Sequence, residues 1–230
     1  MTEKAKKKSK SRQKFSDEKR IILASTSALI GVAIFATSYI GMKQTVGLGR
    51  LNQLLLSWTV SHRNGFLTEI AKIITSIANP LPFAFLVCAL VVVWAILKRE
   101  IWRPTVLVGS IAVAAGTSAL LKIVFMNARP PQIDMIPAFE YDFSFPSGHT
   151  IGMAVFLLVM GYLIYSRAFS SVKFWGWMAI AAIGTILVAL SRLYLGYHWL
   201  TDVTASVGLA FLILAIVVII DFAYVKRVKT

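Results

Sequence analysis

The sequence predicts an all-α fold: a bundle of six membrane-spanning helices, with short amphipathic surface helices between spans one and two. Three observations carry this. First, the 230-residue chain is 57% hydrophobic, and several apolar runs reach the about 20 helical residues needed to cross a hydrocarbon layer of ~30 Å. Second, Lys and Arg outnumber Asp and Glu by 24 to 10, and 17 of the 24 fall in the first twenty residues, in alternate turns between apolar runs, or at the C-terminal end. Basic residues gathered on one side of a membrane set its cytoplasmic face. Third, Trp58, Trp94, Trp102, Trp175, Trp177 and Trp199 all fall near the ends of predicted helices, where aromatic belts form.

This composition excludes some classes. A mean hydropathy of +0.74 exceeds what a soluble domain needs, so secretion without an anchor is excluded. The net charge of +14 can serve nucleic acid or an anionic membrane surface. The position of the basic residues, flanking apolar segments, favours the membrane and argues against a nucleic-acid partner. Cys88, the one cysteine, excludes an internal disulfide or a cysteine metal site and is expected to be a small buried residue.

Residues 1–20 are Lys-rich and lack apolar periodicity, which predicts a disordered cytoplasmic tail. An integral membrane domain is expected over 21–225. Its first span, 21–42, exceeds the apolar length of a signal peptide and reads as an uncleaved anchor. In 51–78, Leu51, Leu54, Leu55 and Trp58 share helical spacing, as do Leu67, Ile70, Ile74 and Ile77 after a break at Asn64-Gly65. Polar neighbours make these two amphipathic helices at the outer surface. The second span, 81–97, opens at Pro80 and Pro82. The third, 104–126, is rich in small residues at Ala112, Ala114, Ala115, Gly116, Ser118 and Ala119, which predicts close helix approach. A proline-bearing outer loop over 127–146 leads into the fourth span, 148–165. The fifth and sixth are 174–190 and 201–220. Both termini are then cytoplasmic.

Three distant stretches bring polar residues to the same outer face. Lys122 and Arg129 end span three, Ser147, Gly148 and His149 open span four, and Ser191, Arg192, His198 and Asp202 join spans five and six. Ionisable groups beside apolar spans are costly and point to function. His198 and Asp202 are four residues apart; if the chain is helical from Trp199, they share a face. A carboxylate there can accept the Nδ1 proton and leave Nε2 with its lone pair outward. Ser147 is a good helix N-cap, and the free N–H groups behind it form an anion site. Arg192 can hold a phosphate through two parallel hydrogen bonds, and Lys122 and Arg129 add positive charge. The bland alternatives are a local His–Asp hydrogen bond, an ordinary capped helix and cations snorkelling to the interface. A metal site of His149, His198 and Asp202 is the chemical rival, though three adjacent cations repel a divalent ion and fill its place on phosphate oxygens. His62, in a polar break, reads as solvated. Asp134, Glu140 and Asp142 read as solvated loop acids, with Glu140 able to pair with an arginine.

In these residues the sequence resembles the type 2 phosphatidic acid phosphatase (PAP2) superfamily. The motifs are Lys122 and Arg129-Pro130 with six residues between, Pro146-Ser147-Gly148-His149, and Ser191-Arg192 followed at fixed spacing by His198 and Asp202. The resemblance spans roughly 81–220 and implies a metal-independent, cofactor-free membrane lipid phosphatase with an extracytoplasmic site. It implies His198 as nucleophile forming a phosphohistidine, Asp202 as its orienting partner, and His149 as proton donor and then base. Lys122, Arg129, Ser147, Gly148 and Arg192 would bind the phosphate. Members of the family act on undecaprenyl diphosphate, phosphatidylglycerol phosphate or phosphatidate, the first two being frequent in bacteria. Alternatives are a lipid phosphotransferase using the same intermediate and a non-enzymatic anionic-lipid binding or transport protein.

Overall fold

The computed structural model describes residues 17–137, 139–166 and 170–227. Among them there are eight α-helices and no strand: α1 (Asp17–Gln44), α2 (Leu48–Ser61), α3 (Gly65–Ile77), α4 (Pro80–Lys98), α5 (Trp102–Phe125), α6 (Gly148–Tyr165), α7 (Ser171–Tyr194) and α8 (Leu200–Arg227), with a 3₁₀ turn at Gln132–Asp134. Six of these, all but α2 and α3, are long and apolar enough to cross a membrane. The predicted architecture is therefore the one observed, a multi-span membrane protein with two short helices between its first two spans.

Boundaries differ by a few residues. Helix α1 begins at Asp17, so Lys19 and Arg20 belong to a helix rather than to the expected tail; residues 1–16 of that tail lie outside the described residues. Helix α7 runs on to Tyr194, so Ser191 and Arg192 form its last turn.

Helices α6 and α8 are the centre of the bundle. Over half of the apolar stretch of each is buried, 56% and 61%, against 17–22% for the other four spans. The core joins Ile151, Val155, Val159 and Leu163 of α6 to Leu209, Ile213 and Val217 of α8. Helix α1 lies along α8 at a glycine crossing: a Cβ on Gly31 would sit 2.8 Å from the Gly208 carbonyl oxygen, and one on Gly208 2.7 Å from the Phe35 nitrogen. In lipid, where burial gives helices little reason to associate, such backbone contact supplies packing.

The small residues of α5 meet the expectation of close approach only in part. Ala114 and Ser118 are buried, but Ala112, Ala115 and Ala119 line a cavity of about 400 Å³ walled by α4, α5 and the start of α6. Cys88 also lines it and is exposed, which corrects the expectation that it is buried.

Both ends of the bundle are stitched by polar groups. At one end, Asp221 of α8 accepts hydrogen bonds from Arg20 of α1 (3.1 Å), Tyr162 of α6 (2.8 Å) and the indole of Trp102 of α5 (3.0 Å). At the other, the Ser147 N–H donates to the Asp202 carbonyl (3.3 Å) and the Ser206 hydroxyl to the Ser147 carbonyl (3.0 Å). Asn52 of α2 accepts the N–H of Thr201 (3.1 Å), one of the first-turn donors that a helix leaves unpaired. The surface helices thus sit over the second end, with Trp58, Phe66, Ile73 and Ile77 exposed on their outer side.

Candidate active site

The turn between α7 and α8 is shaped by Gly196, whose φ of +77° lies in the left-handed region. A Cβ there would lie 2.2 Å from the Asp134 carbonyl oxygen, so only glycine fits. The chain folds back on the end of α7, with the Tyr197 N–H donating to the Arg192 carbonyl at 3.0 Å. Arg192, 1% exposed, stacks its guanidinium 4.4 Å from the Tyr197 ring centroid.

His198 follows in this turn, outside any helix, because α8 begins at Leu200. The expected helical face shared by His198 and Asp202 is therefore replaced by a cap. Asp202 lies in the first turn of α8 and reaches back: its Oδ2 accepts the Trp199 N–H at 2.8 Å and lies 3.2 Å from His198 Nδ1. A first-turn carboxylate reaching to the residue before the helix is one half of a capping box, and here the same oxygen also orients the imidazole.

The other ring nitrogen, Nε2, lies 3.3 Å from Nη1 of Arg129. A guanidinium can only donate, so Nε2 is the acceptor and Nδ1 carries the proton toward Asp202. Burial, then the charges of Arg192, Arg129 and Lys122, hold the His198 imidazole well below its ordinary pKa. The ring is neutral, with its lone pair facing the cations.

Those cations converge from three elements. Arg129, after α5, also donates through Nη1 to the Tyr197 carbonyl (2.6 Å). Lys122 is on the last turn of α5, and Arg192 on the last turn of α7. His149, in the first turn of α6, is near enough for its charge, like those of Arg192, Arg129 and Lys122, to bear on His198. Ser147 caps α6 and is fully buried, its hydroxyl bonded to Thr150 Oγ1 at 3.1 Å. Gly148 lines the cavity, and a Cβ there would meet only Ser118 Oγ, at 3.7 Å. All nine residues singled out from the three stretches, Ser191 in the last turn of α7 included, lie at this end of the bundle.

The loop acids are not simply solvated. Asp142 pairs with Lys122 and Arg129, and Glu140 bridges Arg192 and Arg129, the latter at 2.7 Å. Burial pushes the Asp142 carboxyl up, but hydrogen bonds from Lys122 and Arg129 outweigh it and leave the group below its ordinary value. Asp134 instead contributes its carbonyl, which accepts from Arg63 at 2.7 Å. His62 is exposed, as expected, and stacks on Trp58.

Three further residues reach the site without having been singled out. Thr75 of α3 accepts from Arg192 Nη1 at 2.8 Å, so a surface helix helps set that guanidinium. Asn127 and Ser144 bond each other beside Asp202 (Nδ2 to Oγ, 2.9 Å). The signal for all three was faint: short uncharged side chains in stretches with no motif. Among the described residues no group of three or more His, Cys, Asp or Glu is arranged to hold a metal ion.

Fold and site together define a multi-span membrane protein that gathers cations around a neutral, carboxylate-backed imidazole at one end of its helices. The family model of the PAP2 superfamily matches residues 103–226, more than half of the sequence, and the chain belongs to that superfamily. It is 34% identical over 107 residues to phosphatidylglycerophosphatase B of Bacillus subtilis (strain 168), a stretch that is 44% of this chain and 52% of that protein. The chain thus matches about half the length of this curated relative. Its fold is similar to that of a transmembrane PAP2-type phosphatidylglycerolphosphate phosphatase from Bacillus subtilis (TM-score 0.71, 24% identity, 84% of this chain and 96% of that one). It is also similar to that of Aquifex aeolicus LpxE (TM-score 0.55, 21% identity, 74% and 94%).

Proposed function

We propose that the chain is a metal-independent lipid phosphatase that hydrolyses a lipid phosphomonoester or diphosphate through a phosphohistidine intermediate on the extracytoplasmic face. The observation that carries this is His198, neutral and buried, with Nδ1 on Asp202 and Nε2 directed at Arg129. An imidazole held in that tautomer is a ready nucleophile.

In the first step Nε2 attacks phosphorus, the bond to the leaving oxygen breaks, and His149 gives that oxygen a proton. Asp202 stabilises the charged ring. In the second step His149 takes a proton from water, the resulting hydroxide attacks phosphorus, and the P–N bond breaks to restore His198. Arg129, Arg192 and Lys122 offset the charge on the phosphoryl oxygens, with the Gly148 N–H at the start of α6. Ser147 contributes by fixing that helix start, since its own hydroxyl is buried in the cap.

The lipid's apolar part fits the cavity that begins at Lys122, Asp142 and Gly148 and continues along Phe83, Val87 and Ile111. Phosphatidylglycerol phosphate is the first substrate to test, because the curated relative is a phosphatidylglycerophosphatase. The described basic residues Lys19, Arg20, Lys98, Arg99, Lys173, Lys226 and Arg227 belong to the helix ends remote from the site, which favours a cytoplasmic location for that end and an outward-facing site.

The test is phosphate release by purified protein in detergent from a panel of lipid mono- and diphosphates, with a chelator present. Release is expected from at least one of them. A strict requirement for added divalent metal would contradict the reading.

A further inference from the structure

Asp202 is fully buried, and the reading above uses only one of its oxygens. Oδ2 takes the His198 ring and the Trp199 N–H. A buried carboxylate with an empty second oxygen would be costly and free to swing, so the partner of Oδ1 matters. Asn127 Nδ2 lies 3.4 Å from it, and the Ser144 side chain that Asn127 holds also bonds to the carboxylate.

The local fold aims Asn127 there. Helix α5 stops because Met126 takes a left-handed conformation, φ 47°, which turns the chain sharply out of the helix. The Asn127 carbonyl then accepts both the N–H (2.9 Å) and the hydroxyl (3.1 Å) of Ser144. Its side-chain amide donates one hydrogen to Ser144 Oγ (2.9 Å), leaving the other for Asp202. An ionised carboxylate only accepts, so the nitrogen of the amide is the end that must face it. Ser144 follows Glu140 and Asp142 in the loop. The same clasp therefore fixes the segment that carries the two acids on the cations.

We propose that Asn127 is a positioning residue of the reaction: it holds the Asp202 carboxylate aligned on His198 Nδ1 while touching neither substrate nor the reacting atoms. This rests on the phosphatase reading. Loss of the amide lets Asp202 turn away from the imidazole it must stabilise as phosphorus is attacked. The phosphate-binding cations are left in place, so the effect belongs to turnover and not to substrate binding.

The experiment compares Asn127→Ala and Asn127→Asp with the unaltered protein, using phosphatidylglycerol phosphate in detergent micelles. Both variants should lose about ten- to hundredfold in kcat, the worth of one hydrogen bond to a charged group, with KM within about threefold. Asn127→Asp should be the worse, because it keeps the size of asparagine and sets a second carboxylate against Asp202. A purely space-filling role predicts the reverse order. A second measurement is independent of activity. Asn127→Asp should lower the melting temperature, and Asn127→Asp with Asp202→Asn should regain most of the loss, since one amide and one carboxylate again face each other. Near wild-type kcat in both single variants, a loss confined to KM, or no recovery of stability in the exchanged pair would overturn the proposal. Absence of phosphate release by the unaltered protein would instead overturn the phosphatase reading, and the role with it.

Discussion

The two ends of this bundle each bury charge, and they do so in opposite ways. At the end remote from the site, Asp221 is held by Arg20, Tyr162 and Trp102, all borne on helices of the bundle. At the site end, Arg192 and Lys122 come from helix ends and Arg129 from the chain just after α5, but the acids that pair with them, Glu140 and Asp142, come from a loop. Glu140 and Asp142 are partly to largely open to solvent, with side chains 26% and 56% exposed, whereas Asp221 is 3% exposed. A charge matched wholly within packed helices cannot change partner without unpacking them. Cations matched by a loop can accept another anion when the loop yields. The first arrangement fastens the fold; the second is suited to binding and releasing phosphate.

This contrast can be broken by substitution. The largest effect is expected at His198. His198→Ala should abolish phosphate release, by about 10³-fold or more, while the protein still elutes from gel filtration as the unaltered chain does. Retained activity would remove the nucleophile. Asp202→Asn should cut kcat by about 10²–10⁴-fold through loss of the charge that orients and supports the ring, measured in the same assay. Asp221→Asn should do the converse. It leaves Arg20 buried without its counter-charge, at a cost of about 3 kcal/mol, so the melting temperature falls while kcat below the transition is preserved. An activity loss without a stability loss there would erase the distinction between the two ends.

Smaller effects sharpen it. Glu140→Gln and Asp142→Asn remove the internal competitors for Arg129, Arg192 and Lys122, so inorganic phosphate should inhibit several-fold more tightly, read as a lowered inhibition constant. Unchanged inhibition would mean that these acids do not stand where phosphate binds. The subtlest effect concerns pH. The folded His198 has a pKa well below the ordinary 6.5, so just below pH 6.5 the unfolded chain takes up a proton that the folded chain refuses. Stability from this group is present above that pH and declines as pH falls toward the folded value. Thermal melts between pH 7.5 and 5 should show a shallower decline for His198→Gln than for the unaltered protein.

Much of this was legible in the sequence. Long apolar runs fix where a chain can cross lipid, and all six spans were found to within a few residues at their starts. The eight candidate residues stood out because charged groups and imidazoles are conspicuous among apolar neighbours, and because Ser147-Gly148 reads as a helix start. The way His198 meets Asp202 was not, since four-residue spacing suggests a helical face, whereas the carboxylate actually caps the helix from its first turn. Thr75, Asn127 and Ser144 were hidden because short polar side chains acquire meaning only through tertiary neighbours. Cys88 was misjudged because, in a membrane helix, apolar surroundings in sequence do not imply an interior position. The alanines of α5 divide: Ala114 packs as expected, while Ala112, Ala115 and Ala119 face a cavity, because small side chains permit either close packing or empty space and only the partner helix decides which.

Gly196 has a consequence beyond the shape of its own turn. Its missing carbon sets the spacing between the backbone at Asp134 and the hairpin bearing His198, and so acts as a gauge for the reactive centre. The apolar walls of the cavity beyond Lys122, Asp142 and Gly148, by contrast, include Phe83 and Val87 of α4 and Ile111 and Ala115 of α5. Under the proposed reading, redesign for a bulkier or slimmer lipid has a natural division of labour: resize the wall and leave the gauge alone.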